Sequence, residues 1–271
     1  LRGVVIHNDS QHFSCGVSLW SVRNCFEKND FDALDAFLIY FQNTMLQMRN
    51  SKLPVIAAPV GMSIGGGFEV VLHADHVVGH ANSVMGLVES FMGVESFMGV
   101  VPAGGGCKET LYRWSESLGD GRKGAWKSFM NIGLGRKANS PQEADALSMR
   151  RANDVFHMNR DRILTGALSS IETTSKAKTR NPLALSGVDH FEEMLEWLTT
   201  NHKNGMLTPH DVTVGTEIGR IMTGGNCASG TIFTEQDILD AERSSFLTLA
   251  QTQETQARIV SMLDNGITLR N

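Results

Sequence analysis

A buried strand, a glycine-rich turn and a helix with a glutamate near its start follow one another at residues 54–69 of the 271-residue chain. The turn contains Gly65, Gly66 and Gly67, and Glu69 lies one turn into the predicted helix. Backbone N–H groups at a helix N-terminus carry partial positive charge, and glycines let a ligand approach them closely. The pattern suits a site that holds developing negative charge on an oxygen, although a tight packing turn would use the same residues.

Two other motifs offer different chemistry. Residues 61–65 match G-x-S-x-G, in which Ser63 would be the nucleophile of a serine hydrolase. None of the nine histidines lies in a recognisable partner motif, so this function is a distant alternative. Residues 133–138 fit G-x-G-x-x-A, but no convincing strand precedes them and Pro141 interrupts the helix that a dinucleotide site needs. We predict no NAD site and no metal site in this chain.

The elements around the glycine-rich turn alternate between strands and helices. Residues 4–6, 53–58 and 75–79 are predicted as strands, and apolar residues at helical spacing predict a helix over residues 31–49. Residues 61–67 are predicted to form a tight turn. Such alternation favours an α/β fold with parallel strand packing.

The second half of the sequence has a different character, because helical patterns dominate after about residue 155. Thr234 and Asp237 have the spacing of a capping box, and a final helix is expected near the C-terminus. We predict an α/β domain at residues 1–155 and a mostly helical C-terminal extension at residues 156–271.

Composition and charge argue against several classes of protein. The net charge is −5 and no basic run is present, so we expect no nucleic-acid partner. No apolar stretch reaches the roughly 18 residues of a membrane span. The four cysteines are scattered without a C-x-x-C pair, which indicates reduced thiols and a cytoplasmic location. The sequence opens on a strand-like segment without an initiator Met, and we expect a domain of a longer polypeptide whose N-terminal part is missing here.

A direct repeat duplicates a candidate glutamate. Residues 89–94 are repeated at residues 95–100, so Glu89 and Glu95 each head one copy. Six extra residues would rotate a helix by about 240°, so the insertion is easier to place in a loop. Glu89 keeps its spacing to the upstream strand, whereas Glu95 keeps its spacing to Pro102.

Several of these segments, taken in order, resemble the crotonase (enoyl-CoA hydratase/isomerase) superfamily. Residues 54–69 resemble its P-V-I-A-A-x-x-G-x-A-x-G-G-G-x-E signature, and residues 13–17 resemble its F-x-A-G-A segment. Residues 85–89 and 99–106 are similar to its F-G-x-x-E and G-x-x-P-x-G-G-G segments, and Asp75 matches the aspartate after the helix. The closing segments at 235–243 and 255–263 resemble the hydratase portion of fused 3-hydroxyacyl-CoA dehydrogenase/enoyl-CoA hydratase proteins.

This resemblance implies a crotonase-type ββα spiral core and a set of site residues. The backbone N–H groups of Val17 and Gly66 would form the oxyanion hole for a thioester carbonyl, with Val17 in place of the usual alanine. Glu69 and a second glutamate would handle water and proton, and we favour Glu89 over Glu95 because Glu89 directly ends the element that would position it. The residues implied in substrate binding are Cys15, Gly16, Gly65, Gly67, Pro102 and Gly104. Ser18 stands where many members have aspartate.

The implied activity is reversible hydration of trans-2-enoyl-CoA in fatty-acid β-oxidation. The alternatives are Δ3-Δ2-enoyl-CoA isomerisation, which needs one well-placed carboxylate, and a truncated domain that only binds acyl-CoA. The coenzyme A thioester would be the substrate, and no cofactor is implied; NAD would enter only with a dehydrogenase domain elsewhere in the parent chain. The expected partners are other copies in a homo-oligomer, a covalently fused dehydrogenase domain, or both.

Overall fold

The computed structural model describes residues 1–90, 98–176 and 179–271, and it divides into two compact units that each draw on three stretches of the chain. The first unit comprises residues 1–17, 41–87 and 137–180, and the second comprises residues 18–40, 88–136 and 181–271. The units therefore interleave along the chain, whereas the sequence analysis placed a single boundary at residue 155.

The strands of the described residues are short. They are β1 (Val4–Ile6), β2 (Val55–Ala57), β3 (Met62–Ile64), β4 (His76–His80), β5 (Val84–Gly86), β6 (Lys137–Ala138), β7 (Val155–His157), β8 (Leu183–Ala184) and β9 (Ile232–Phe233). The α-helices are α1 (Leu19–Glu27), α2 (Phe31–Asn50), α3 (Gly66–His73), α4 (Gly106–Leu118), α5 (Gly121–Gly133), α6 (Pro141–Ala146), α7 (Ile163–Ser170), α8 (Val188–Lys203), α9 (Pro209–Thr223), α10 (Glu235–Ala250) and α11 (Gln253–Asn265).

The first unit contains two sheets. One has the order β1-β2-β4-β7 with every neighbouring pair parallel, and the other has the order β3-β5-β6 with β5 and β6 antiparallel. Helix α7 packs Ile163 and Ala167 into a core with Ile56 and Val78 of the four-stranded sheet. Coverage by a helix lets these strands carry consecutive apolar residues rather than alternating ones. The predicted α/β fold with a parallel sheet is confirmed.

The glycine-rich segment differs from its prediction in one respect. Residues 61–67 were expected to form a single turn, but Met62–Ile64 form strand β3, and α3 begins at Gly66. The strand exists because its backbone has partners: Ser14 N–H donates to the Met62 carbonyl at 3.1 Å, and Ile64 N–H donates to the Ser14 carbonyl at 3.0 Å. The turn itself is therefore confined to the residue between β3 and α3.

The second unit is mainly helical, with β8 and β9 as a small antiparallel pair. Helices α4 and α5 pack with α9, which is why residues far apart in the sequence belong to one compact unit. The predicted capping box is present: the Thr234 side chain accepts from Asp237 N–H, and the Asp237 carboxylate accepts from Thr234 N–H. No helix among the described residues is long and apolar enough to cross a membrane.

Candidate active site

The segment around Ser14 brings Gly16 and Val17 to the start of α3. Phe13 N–H donates to the Val60 carbonyl at 2.8 Å, and Ser14 is bridged to Ser63 in parallel fashion beside β3. A Cβ added to Gly16 would lie 3.2 Å from the Gly66 nitrogen, so the two backbones are in close contact. Six implied site residues therefore lie together at one end of β3. They are Cys15, which is exposed, Gly16, Val17, Gly65, Gly66 and Gly67.

Three of these glycines are required by geometry. Gly65 has φ 55° and Gly16 has φ 97°, in the left-handed region that side chains other than glycine rarely adopt. A Cβ on Gly67 would lie only 2.5 Å from the Ser14 carbonyl oxygen and 2.6 Å from the Ser14 Cβ. The Ser14 segment can therefore approach α3 this closely only because these positions are glycine.

The N-terminus of α3 presents backbone donors at this contact. Gly65 N–H donates to the Gly86 carbonyl at 2.9 Å, while the N–H groups of Phe68 and Glu69 donate to the Gly65 carbonyl. Within the described part of the chain, the N–H groups of Val17 and Gly66 have no protein acceptor. Two such donors beside the positive end of a helix can donate hydrogen bonds to an oxygen that gains negative charge.

Glu69 lies on the same helix, in its first turn, and its side chain is 2% exposed. Helix α3 is otherwise apolar at this level, with Phe68, Val71 and Leu72 also buried. A carboxylate held on a buried helix keeps one orientation, which general acid–base chemistry requires.

Asp75 fastens the strand–turn–helix segment at its other end. Its carboxylate accepts a hydrogen bond from Val55 N–H at 2.8 Å and one from Lys176 Nζ at 2.7 Å. The aspartate that the sequence motif singled out therefore ties β2 to the residues that follow α3.

The remaining implied residues belong to the second unit or lie outside the described residues. Glu89 is half-buried, and its backbone carbonyl accepts a hydrogen bond from Val100 N–H at 3.3 Å. Pro102 and Gly104 are buried in the segment just before α4. Glu95 falls within residues 91–97, which are outside the described part of the chain, so the preference for Glu89 stays a prediction.

A carboxylate that the sequence analysis did not single out caps α4. Both oxygens of Glu242 accept backbone hydrogen bonds, one from Gly105 N–H at 2.8 Å and one from Lys108 N–H. The Lys108 ammonium is buried, 2.6 Å from a Glu235 oxygen and 3.2 Å from a Glu109 oxygen. Glu242 could have been identified from its position in the closing segment at residues 235–243, which resembles the family.

The serine-hydrolase alternative does not agree with the structure. Ser63 is in the middle of β3 rather than on a strand-to-helix turn, and it is 0% exposed. A nucleophile elbow needs its serine at the apex of a sharp turn and open to the substrate. The G-x-S-x-G match is therefore accidental, and Ser63 serves as a buried strand residue.

The first unit also has a surface cavity of about 510 Å³ that is separate from these residues. It is lined by the β4–β5 turn at Ala81 and Asn82, by α6, and by β7. None of the residues implied in catalysis or substrate binding lines it.

The parallel sheet and the glycine-framed helix start define a crotonase-type fold. Residues 1–113 match the enoyl-CoA hydratase/isomerase family model. The chain is 30% identical, over its full length, to a probable 3-hydroxyacyl-CoA dehydrogenase of Bacillus subtilis. The resemblance that the sequence motifs indicated is confirmed.

Two further comparisons agree with this match, one in sequence and one in fold alone. A 57-residue stretch, 21% of the chain and 20% of the relative, is 44% identical to a mevalonyl-coenzyme A hydratase of Beauveria bassiana. The crystal structure of an enoyl-CoA hydratase from Rhodobacter sphaeroides has the same fold, with a TM-score of 0.64 and 14% identity over 97% of this chain and 76% of that one. The chain spans only 34% of the length of the Bacillus subtilis relative.

Proposed function

We propose that the chain catalyses the reversible hydration of trans-2-enoyl-CoA to 3-hydroxyacyl-CoA. The proposal rests on two N–H groups, of Val17 and Gly66, that have no acceptor among the described residues and lie at the start of the helix that holds the buried Glu69. A conjugated thioester needs both kinds of group, because charge accumulates on its carbonyl oxygen while a proton moves.

In the proposed reaction, the thioester oxygen accepts hydrogen bonds from Val17 N–H and Gly66 N–H. The oxygen of a water molecule adds to C3, the C2–C3 double bond becomes single, and C2 gains the proton that balances the addition. Glu69 is the group proposed to take a proton from the water or to return one to C2. Glu89 is the predicted second carboxylate, and two carboxylates in different surroundings divide acid and base roles between them.

The proposal extends to the setting of the reaction. Hydration of an enoyl-CoA is a step of fatty-acid β-oxidation, and it uses water and the thioester with no redox cofactor in this chain. Because the chain matches about a third of a longer dehydrogenase relative, we propose that a dehydrogenase domain which uses NAD accompanies it in the whole protein. Assembly into a homo-oligomer and a cytoplasmic location belong to the same proposal.

The test uses the full 271-residue chain and follows the loss of conjugated enoyl-thioester absorbance with crotonyl-CoA and longer enoyl-CoAs. Three proteins are compared: wild type, Glu69→Gln, and the matched control Glu172→Gln, in which the substituted carboxylate is exposed and paired with Arg2. Wild type and control are expected to turn over, while Glu69→Gln binds the thioester but loses at least about 100-fold in kcat.

Other outcomes point elsewhere. Gain of conjugated absorbance from a 3-enoyl-CoA, without hydration, would favour the isomerase. Binding without turnover in the wild type would favour an acyl-CoA-binding domain, and full activity in Glu69→Gln would contradict the proposed site.

A further inference from the structure

Gly99 is held by two buried side chains from distant helices of the second unit. The Thr255 hydroxyl, at the start of α11, donates a hydrogen bond to the Gly99 carbonyl at 2.8 Å. His210, at the start of α9, lies with Nε2 2.9 Å from the same hydroxyl oxygen. Because the hydroxyl proton goes to the carbonyl, this arrangement assigns a hydrogen to His210 Nε2, which donates to the hydroxyl oxygen.

The three residues form a closed contact with no room for another group. His210 is 4% exposed and Thr255 is 0% exposed. Gly99 has φ 71°, and a Cβ there would lie 3.0 Å from His210 Nε2, 3.1 Å from Thr255 Oγ1 and 3.2 Å from Arg258 Cδ. Gly99 therefore sits directly on the histidine–threonine pair, and only glycine fits this position.

The backbone next to Gly99 is bonded in turn to Glu89. Val100 N–H donates to the Glu89 carbonyl at 3.3 Å, and the Ser90 hydroxyl donates to the Val100 carbonyl at 3.4 Å. The Gly99–Val100 peptide unit therefore links two sets of hydrogen bonds: its carbonyl accepts from Thr255, which contacts His210, and its N–H donates to the backbone that carries the Glu89 side chain.

We propose that Thr255 and His210 are positioning residues that fix the backbone of Glu89, the second carboxylate of the proposed hydration. The inference rests on the proposed function for its catalytic consequence, while its structural part concerns the Gly99–Val100 backbone alone. In this proposal neither residue contacts the substrate, and each acts by fixing the backbone of Glu89. This matters for the rate because a displacement of about 1 Å in a reacting group lowers it steeply.

The experiment compares Thr255→Val, which keeps the side-chain shape but has no hydroxyl, with Thr255→Ser, which restores the hydroxyl. The matched control is Thr248→Val, because the exposed Thr248 hydroxyl donates to a backbone carbonyl within α10 and touches none of these residues. Two quantities are measured on the full chain: hydrogen exchange at the Val100 amide, and kcat and KM with crotonyl-CoA. Gly99→Ala gives an independent perturbation of the same contact, in case Thr255→Val unfolds.

We expect Thr255→Val and Gly99→Ala to exchange the Val100 amide faster and to lose about tenfold or more in kcat, with KM changed less than about twofold. Thr255→Ser and Thr248→Val should match the wild type in both quantities. Unchanged exchange at Val100 in both perturbing variants overturns the positioning role, whether or not the chain turns over. Faster exchange at Val100 with unchanged kcat overturns the link to Glu89. An inactive wild type overturns the proposed function. In that case the exchange data still decide whether Thr255 and His210 hold the Gly99–Val100 backbone.

Discussion

The carboxylate of Glu242, on α10, accepts a hydrogen bond from the backbone N–H of Gly105 at 2.8 Å, at the N-terminus of α4. Its second oxygen accepts from Lys108 N–H in the first turn of the same helix. A helix N-terminus is a natural anion site, and here the protein fills it with its own side chain. The second glycine cluster thus joins two helices of the second unit.

Replacing Glu242 should therefore destabilise the fold. Glu242→Ala leaves two buried N–H groups without an acceptor and removes a charge from the helix N-terminus, so we expect the free energy of unfolding to fall by about 3 kcal/mol. Urea denaturation measures it. The control is Asp240→Ala on the exposed face of α10, expected to cost under about 0.5 kcal/mol; equal losses in the two variants would contradict the capping role.

A methyl group at residue 67 should disrupt the site locally. In Gly67→Ala the new Cβ would overlap the Ser14 carbonyl at 2.5 Å, so the Ser14 segment must move away from α3, at a cost of about 1–3 kcal/mol. The displacement carries Val17 with it, and turnover of crotonyl-CoA should fall. Gly121→Ala is the control, because its Cβ would meet only an ordinary 3.6 Å contact. A Gly67→Ala protein as stable and active as wild type would show that the close approach is unnecessary.

The buried hydroxyl at residue 63 should be dispensable. Ser63 Oγ has no hydrogen-bond partner in the described part of the chain, so Ser63→Ala removes an unsatisfied polar atom and is expected to be neutral or slightly stabilising. Enoyl-CoA turnover should be unchanged, and a fluorophosphonate probe should label neither protein. Labelling of the wild type that disappears in Ser63→Ala would restore the hydrolase interpretation.

Stability should fall on mild acidification because of two buried histidines. Burial, with Arg122 nearby, lowers the pKa of His190, and burial, with Arg258 nearby, lowers the pKa of His210. The unfolded chain, with histidine pKa values of about 6.5, then binds protons more readily than the folded one. Their contribution to stability is present above about pH 6.5 and is lost as the pH falls below it.

Chemical denaturation at a series of pH values tests this expectation. The double variant His190→Gln, His210→Gln should show a flatter dependence of the unfolding free energy on pH than wild type between about pH 5 and pH 7. Each single variant should remove part of the slope. An equally steep profile in the double variant would assign the acid sensitivity to other groups.

Local signals predicted elements of both units. The apolar runs at β1, β2 and β4, the helical spacing of α2 and the capping box at Thr234 depend on near neighbours in the sequence, and each is present. The glycine run at residues 65–67 was predicted to let a ligand approach the helix start closely, and the structure shows that the chain's own Ser14 segment lies against Gly67.

The other features depend on partners that are distant in the sequence. The spacing of apolar residues within one segment contains no information about such partners. Strand β3 was missed because its partners are distant in the sequence: β5 lies about twenty residues later, and Ser14 some fifty residues earlier. Glu242 and Thr255 were missed because each binds backbone more than 100 residues away, and His210 was missed because it contacts the Thr255 hydroxyl, 45 residues later in the sequence. The segments that contain Glu242 and Thr255 resembled the family, but resemblance alone did not say what these side chains bind.

The interleaving of the two units affects when each unit can fold during synthesis on the ribosome. The first unit is complete in sequence once residue 180 has been synthesised, although residues 18–40 and 88–136 within that span belong to the other unit. Those two stretches must wait for α8 to α11, and their apolar surfaces are uncovered meanwhile. Chain termination at residue 155 would therefore leave both units without segments that they need. We expect chaperones to bind a nascent chain of that length.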